Sequence, residues 1–83
     1  MKIAWRPVPG MVHKTAYLEA DIERLAVELF FSSGLLHWEW SVYDPDSYEP
    51  DLAVTRDNAY FRDNAEADLR EWVGDYLGII LTS

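Results

Sequence analysis

Cysteine is absent from the 83 residues, which excludes a disulfide scaffold, a thiolate zinc site and a cysteine nucleophile. Basic residues are scarce, seven against fifteen acidic ones, for a formal charge of -8 at pH 7. That deficit argues against direct binding of nucleic acid, whose affinity comes mainly from cations meeting phosphates. It argues equally against an anionic membrane surface. No apolar run approaches the ~20 residues needed to span a bilayer. The opening Met1-Lys2-Ile3-Ala4-Trp5-Arg6-Pro7 lacks the apolar stretch of a secretory signal, so a soluble, cytoplasmic protein is expected. The four glycines are scattered, with no P-loop or dinucleotide fingerprint.

What is present is apolar and aromatic. Hydrophobic residues make up 49%, with four Trp, five Tyr and three Phe, too many for a disordered tail. A chain of this length builds one core, so residues 1–83 are expected to form a single acidic domain.

The hydrophobic pattern reads as α+β. Lys2 to Trp5 is a candidate strand ended by Pro7-Val8-Pro9-Gly10. Leu18, Ile22, Leu25, Ala26, Leu29 and Phe30 fall at helical intervals and predict a helix over about 15–33, with Thr15 as N-cap and Gly34 after its end. From Leu35 to Tyr43 the period becomes two, and Leu36, Trp38, Trp40 and Val42 share one strand face. Asp44 to Asp51 is a loop with two prolines, and Leu52 to Arg56 a returning strand. Asp57-Asn58 reads as a turn and Ala59-Tyr60-Phe61 as a short extended piece. Asp63 opens a second helix with Glu66 completing a capping box, and Ala65, Leu69, Trp72, Val73 and Tyr76 form its inner stripe. Gly74 implies either close packing within that helix or its early end, and Gly78 reads as the stop, before a terminal strand Ile79-Ile80-Leu81. The resulting order, β-α-β-β-α-β, predicts a ferredoxin-like split βαβ sandwich with two helices on one face of an antiparallel sheet.

The charge is uneven. Residues 1–34 carry four basic and four acidic side chains, whereas residues 35–83 carry three basic and eleven acidic ones. Asp44, Asp46, Glu49 and Asp51 crowd the loop, while Asp68, Glu71 and Asp75 fall on one exposed helix face. Carboxylates at that spacing lie about 5 Å apart along the axis and offer a basic groove a row of negative groups. Tyr43, Tyr48 and Tyr60 flank or interrupt acidic loop segments, and Tyr48, within the 44–51 loop, fits an interface anchor. The expected partner-binding residues are therefore Asp44, Asp46, Tyr48, Glu49, Asp51, Asp68, Glu71 and Asp75.

Chemistry finds little support. From Asp44, an EF-hand register puts Tyr48, Glu49 and Thr55 at positions 5, 6 and 12, so the calcium motif fails. His13 and His37 are the only histidines, and His37 beside Glu39 falls short of a zinc site. No serine stands in a nucleophile elbow. Neither catalysis, a metal nor a cofactor is expected.

In size, acidity, aromatic content and missing catalytic motifs, the chain resembles small acidic inhibitors. These include phage anti-CRISPR, anti-restriction and uracil-DNA glycosylase inhibitors, and immunity proteins for nuclease toxins. The resemblance implies a stoichiometric inhibitor that blocks the basic nucleic-acid-binding site of a host enzyme or defence complex, and it transfers no residue roles. A self-associating structural or regulatory module, such as a homodimer, pairing through strand edges or the Trp38/Trp40 face, is the competing expectation.

Overall fold

The computed structural model describes residues 2–10 and 14–80, excepting the side chains of Lys14 and Thr15. It consists of five antiparallel strands followed by one helix: β1 (Arg6–Pro7), β2 (Lys14–Ile22), β3 (Leu25–Ser32), β4 (His37–Tyr43), β5 (Thr55–Ala59) and α1 (Arg62–Leu77). The strands pair in chain order, a simple meander. The expected split βαβ sandwich is thereby corrected: one helix, not two, covers the sheet, and the β-α-β-β-α-β order does not occur.

The largest correction concerns residues 15–33. They form the β2–β3 hairpin, with Leu18 opposite Leu29, Ala20 opposite Val27 and Ile22 opposite Leu25 across a two-residue turn. Glu23 opens that turn at φ +54°, a conformation favoured by glycine rather than glutamate. Ala20, Ile22, Leu25, Val27 and Leu29 are all buried, whereas Ala26 is exposed on the other face. The apolar residues thus follow a period of two on each side of the turn. Thr15, expected as a helix cap, lies in β2.

β4 keeps the expected alternation, and its register carries the inner face across the sheet. Leu29 pairs with Trp40 and Val27 with Val42, and on the far side Trp40 meets Asp57 and Val42 meets Thr55. Leu35 and Leu36 do not extend this strand. They belong to the turn before it and are largely exposed, with Leu36 at φ +56°. The returning strand begins later than expected, so Asp57-Asn58 is strand rather than turn. At the amino end, Lys2–Trp5 is not a strand. Ile3 is instead buried in the core, and Arg6 and Pro7 pair with Glu19 and Leu18. An edge strand tolerates Pro7 because no neighbour needs its missing N–H.

α1 lies over the sheet, chiefly on β4 and β5. Ala65, Leu69 and Val73, spaced by four, fill the space above Trp40, Val42, Val27 and Leu29. Burying this stripe against the sheet supplies the hydrophobic stabilisation that neither layer has alone. The helix starts after Phe61, with no side-chain cap, so the Asp63–Glu66 capping box does not form. Asp63 still lies in the first turn, where the helix dipole favours a carboxylate. Gly78 ends the helix in the left-handed conformation. Ile79 and Ile80 form no strand, and Leu81 lies outside the described residues.

Of the two readings of Gly74, the structure has the close packing and not the early end, since α1 continues to Leu77. A Cβ there would stand 2.9 Å from the Ile79 carbonyl oxygen, because the chain folds back so that Ile79 N–H donates to Gly74 O at 3.0 Å. Gly74→Ala gains about 1 kcal/mol in an open helix. Here it is expected to destabilise by roughly 1 kcal/mol or more, since backbone must move to admit the methyl. Urea unfolding checks this, and a stabilised variant would refute the close approach.

Candidate functional site

The acidic residues separate into those used inside the fold and those left facing outward. Asp44, at the end of β4, is only 2% exposed. Its carboxylate accepts from Tyr76 Oη at 2.7 Å, from Arg24 Nε and an Arg24 terminal nitrogen at 3.3 and 3.2 Å, and from Asp46 N–H at 2.9 Å. The Tyr76 hydroxyl, then Arg24, then the Asp46 N–H hold its carboxyl down to about 2 from an ordinary 3.8. The same bond to Asp44 raises the Tyr76 pKa. Asp44 is therefore a structural acceptor, set apart from the exposed acids it was grouped with.

That junction nevertheless places the other acids. Arg24 comes from the β2–β3 turn, Asp44 from the start of the 44–51 loop and Tyr76 from the last turns of α1. Arg24 also pairs with Asp46 at 3.5 Å and lies over the Tyr76 ring, which stacks on Trp72 at 4.9 Å. The acidic loop is thus fastened to the carboxyl-terminal part of the acidic helix. Beyond Asp44, the loop's Asp46, Glu49 and Asp51 are exposed, and Tyr48 is 100% exposed. Tyr43 is half-buried on β4 and Tyr60 exposed after β5.

Asp68, Glu71 and Asp75 all face solvent on α1. They line a groove of about 240 Å³ together with Trp40, Thr55, Asp57 and Trp72. Asp57, which the sequence pattern suggests as a turn residue, is the fourth carboxylate of the groove because β5 turns it toward the helix side. Its alternation with Thr55 and Ala59 in a short strand was the available signal. None of the four carboxylates has an ion-pair partner among the described residues, although Asp57 Oδ1 accepts from Asn58 N–H at 2.8 Å.

Four of the remaining acids, Glu19, Asp21, Glu39 and Glu66, are paired elsewhere, whereas Glu23, Glu28 and Asp63 have no ion-pair partner among the described residues. Glu66 accepts from Trp5 Nε1 at 3.1 Å and from Arg70 at 3.2 Å, pinning the amino-terminal segment to the opposite flank of α1. Arg6 pairs with Glu19 and Asp21, and His37 Nε2 lies 3.3 Å from Glu39 Oε1 on the uncovered sheet face. His13 lies outside the described residues. Among those described, no three His, Asp or Glu side chains are arranged to hold a metal ion, and no helix is long and apolar enough to cross a membrane. Trp40 is buried under α1 and Trp38 packs against the core with Arg62 over its ring, so the expected Trp38/Trp40 pairing face points into the fold.

No protein-family model, curated protein or solved structure matches the chain.

Because its folded pKa is depressed, Asp44 contributes stability that is fully present above about pH 4 and lost as pH falls through about 2. Asp44→Ala is expected to lower Tm by roughly 5 °C or more at pH 7. The gap between variant and parent should close between pH 4 and 2, as thermal unfolding by circular dichroism at several pH values would show. A gap that persists at pH 2 would refute the carboxylate's role.

Proposed function

We propose that this protein is a small acidic inhibitor that binds and blocks the basic nucleic-acid-binding site of a host enzyme or defence complex. It acts by nucleic-acid mimicry, in the manner of phage anti-defence proteins such as anti-CRISPR or anti-restriction proteins. An immunity protein neutralising a nuclease toxin shares the same physical basis. The observation that carries the reading is the row Asp68, Glu71 and Asp75 beside Asp57, four carboxylates along one groove with no ion-pair partner among the described residues.

The magnitudes favour a protein partner with a cationic surface. Three charges over seven helical residues span about 10 Å, or about 5 Å per charge. One strand of duplex DNA advances about 3.4 Å per phosphate, so the row approaches phosphate density without reaching it. The acids lie within one Debye length, about 8 Å at physiological salt, of their neighbours, so their fields add. Like charges so placed repel by about 0.2–0.5 kcal/mol per helical pair, a cost that a cationic partner reverses on binding. Exposed Asp46, Glu49 and Asp51 extend the negative surface, and Tyr48 supplies an amphipathic anchor beside them.

A homodimeric module is the second reading, supported by exposed apolar side chains at one end of the sheet. Leu35 and Leu36 precede β4, whose start pairs with the end of β5, where exposed Tyr60 and Phe61 follow. Sedimentation at increasing concentration separates the two readings, since only the second expects a dimer without an outside ligand.

For the first, the tagged protein is expected to capture a nucleic-acid-handling enzyme from host lysate and to release it to competing DNA or RNA and to salt. The triple variant Asp68→Lys, Glu71→Lys, Asp75→Lys is expected to lose affinity by 100-fold or more while keeping its circular dichroism spectrum. Unchanged affinity would remove the helix from the binding surface, and a partner indifferent to nucleic acid and salt would overturn mimicry.

A further inference from the structure

The sheet has two edges, and they differ. β1 is two residues long and contains Pro7, so it offers little to a neighbouring strand. β5 has five residues, pairs only with β4, and makes no backbone bond to any other described segment. Its free edge runs beside the acidic groove. Thr55 and Asp57 on β5 form one wall of that groove, and Asp68, Glu71, Trp72 and Asp75 on α1 form the other. Trp40 also lines it; the residue is 3% exposed, and its indole Nε1 is buried without an acceptor. The opposite flank of α1 is closed by the amino-terminal segment, held by the Trp5–Glu66 bond.

We propose that the β5 edge and the groove above it accept one extended, basic segment of a partner protein by strand addition. The proposal rests on the acidic-inhibitor reading and adds how the partner is held. An added strand lies about 4.8 Å beyond β5 and sends every second side chain to the helix side, about 7 Å apart. The three helix carboxylates span about 10 Å, so Lys or Arg side chains two residues apart both fall within reach of them and of Asp57. Main-chain bonds to the edge supply affinity, and the alternating cations supply specificity. The Asp57–Asn58 N–H bond is the local substitute that an incoming strand replaces. A group bearing an acceptor in the groove would also satisfy the Trp40 N–H, whose burial without a partner is costly. A second copy of this chain is a poor occupant, because edge pairing would set one Asp57 strand and its acidic helix against another.

The probe is a nine-residue synthetic peptide alternating Arg and Thr, titrated into the full chain while amide exchange is followed by NMR. Binding is expected to slow exchange within residues 55–59. Asp57→Lys, or Asp68→Lys with Asp75→Lys, is expected to weaken binding at least 10-fold, whereas Glu28→Lys on β3 changes it less than 3-fold. A peptide N-methylated at alternate residues, with its charges intact, is expected to lose at least 10-fold. Equal binding of the methylated peptide, or unchanged exchange in β5, would overturn strand addition while leaving the acidic-surface reading intact. Absence of peptide binding would overturn it too. Conversely, slowed exchange in β5 together with a captured partner that ignores nucleic acid and salt would support the edge site and overturn inhibition by mimicry.

Discussion

The carboxylate of Asp44 is the point at which three otherwise separate parts of the chain meet. A strand-end acid, a turn arginine and a helix tyrosine each bring one partner. Packing of the apolar stripe against the sheet sets where the helix lies to within the fit of its side chains, and directional bonds add to that. Hydrogen bonds depend on angle as well as distance, so they narrow the orientation further than apolar burial alone. At the other end, Trp5 donating to Glu66 fixes the first half of α1 in the same way. Between these two bonds the helix has one place to sit.

Placement of α1 in turn determines what solvent meets. The helix covers β4 and β5 more than β3, and the flank carrying Glu66 and Arg70 is closed by the amino-terminal segment. What remains open is the flank carrying Asp68, Trp72 and Asp75, turned toward the free strand edge. A sheet covered on one face only also leaves the other face in water. That face is correspondingly polar, with Glu28, Glu39, Ser41, Arg56 and Asn58, relieved by the stacked rings of Tyr17 and Phe30. Both layers are needed for one core, which is why so small a domain keeps a single hydrophobic cluster.

Two elements of the second half were legible, β4 and α1, whereas the hairpin of the first half was not. Strict alternation in residues 37–43 admits only a strand. In residues 62–77, Ala65, Leu69 and Val73 admit only a helix, and Gly78 stops it as expected. Residues 18–29 satisfy both periods at once. Two strand steps make four residues, and a two-residue turn adds three between its flanking positions, so Leu18, Ile22, Leu25 and Leu29 follow the intervals 4, 3, 4 of a helical stripe. Only Ala20 and Val27, also buried, break the tie, and the turn gives no warning because Glu23-Arg24 lacks the usual Asn-Gly or Asp-Gly signal. Counting alone does not decide between them, because the helical stripe also claims Ala26 and Phe30, six positions against the six of the two strands.

The candidate site shows the same division between local pattern and long-range geometry. Spacing along one helix suffices to put Asp68, Glu71 and Asp75 on a common face, and they are there. Spacing says nothing about Asp44 and Asp57, whose roles depend on residues 32 and 11 or more positions away. The chain exchanges them: the loop acid turns inward to hold the fold, and the strand acid turns toward the helix to complete the groove. Net charge is blind to that exchange, since both states carry the same eight negative charges in excess. What distinguishes an acidic surface built for a partner from one that only confers solubility is whether its carboxylates remain unpaired and adjacent. Arg6, Arg24 and Arg70 all pair with other acids, and none is placed to neutralise the groove. In a protein with so few cations, four neighbouring carboxylates without an ion-pair partner among the described residues concentrate negative potential where an extended cationic segment has both a charge and a strand edge to meet.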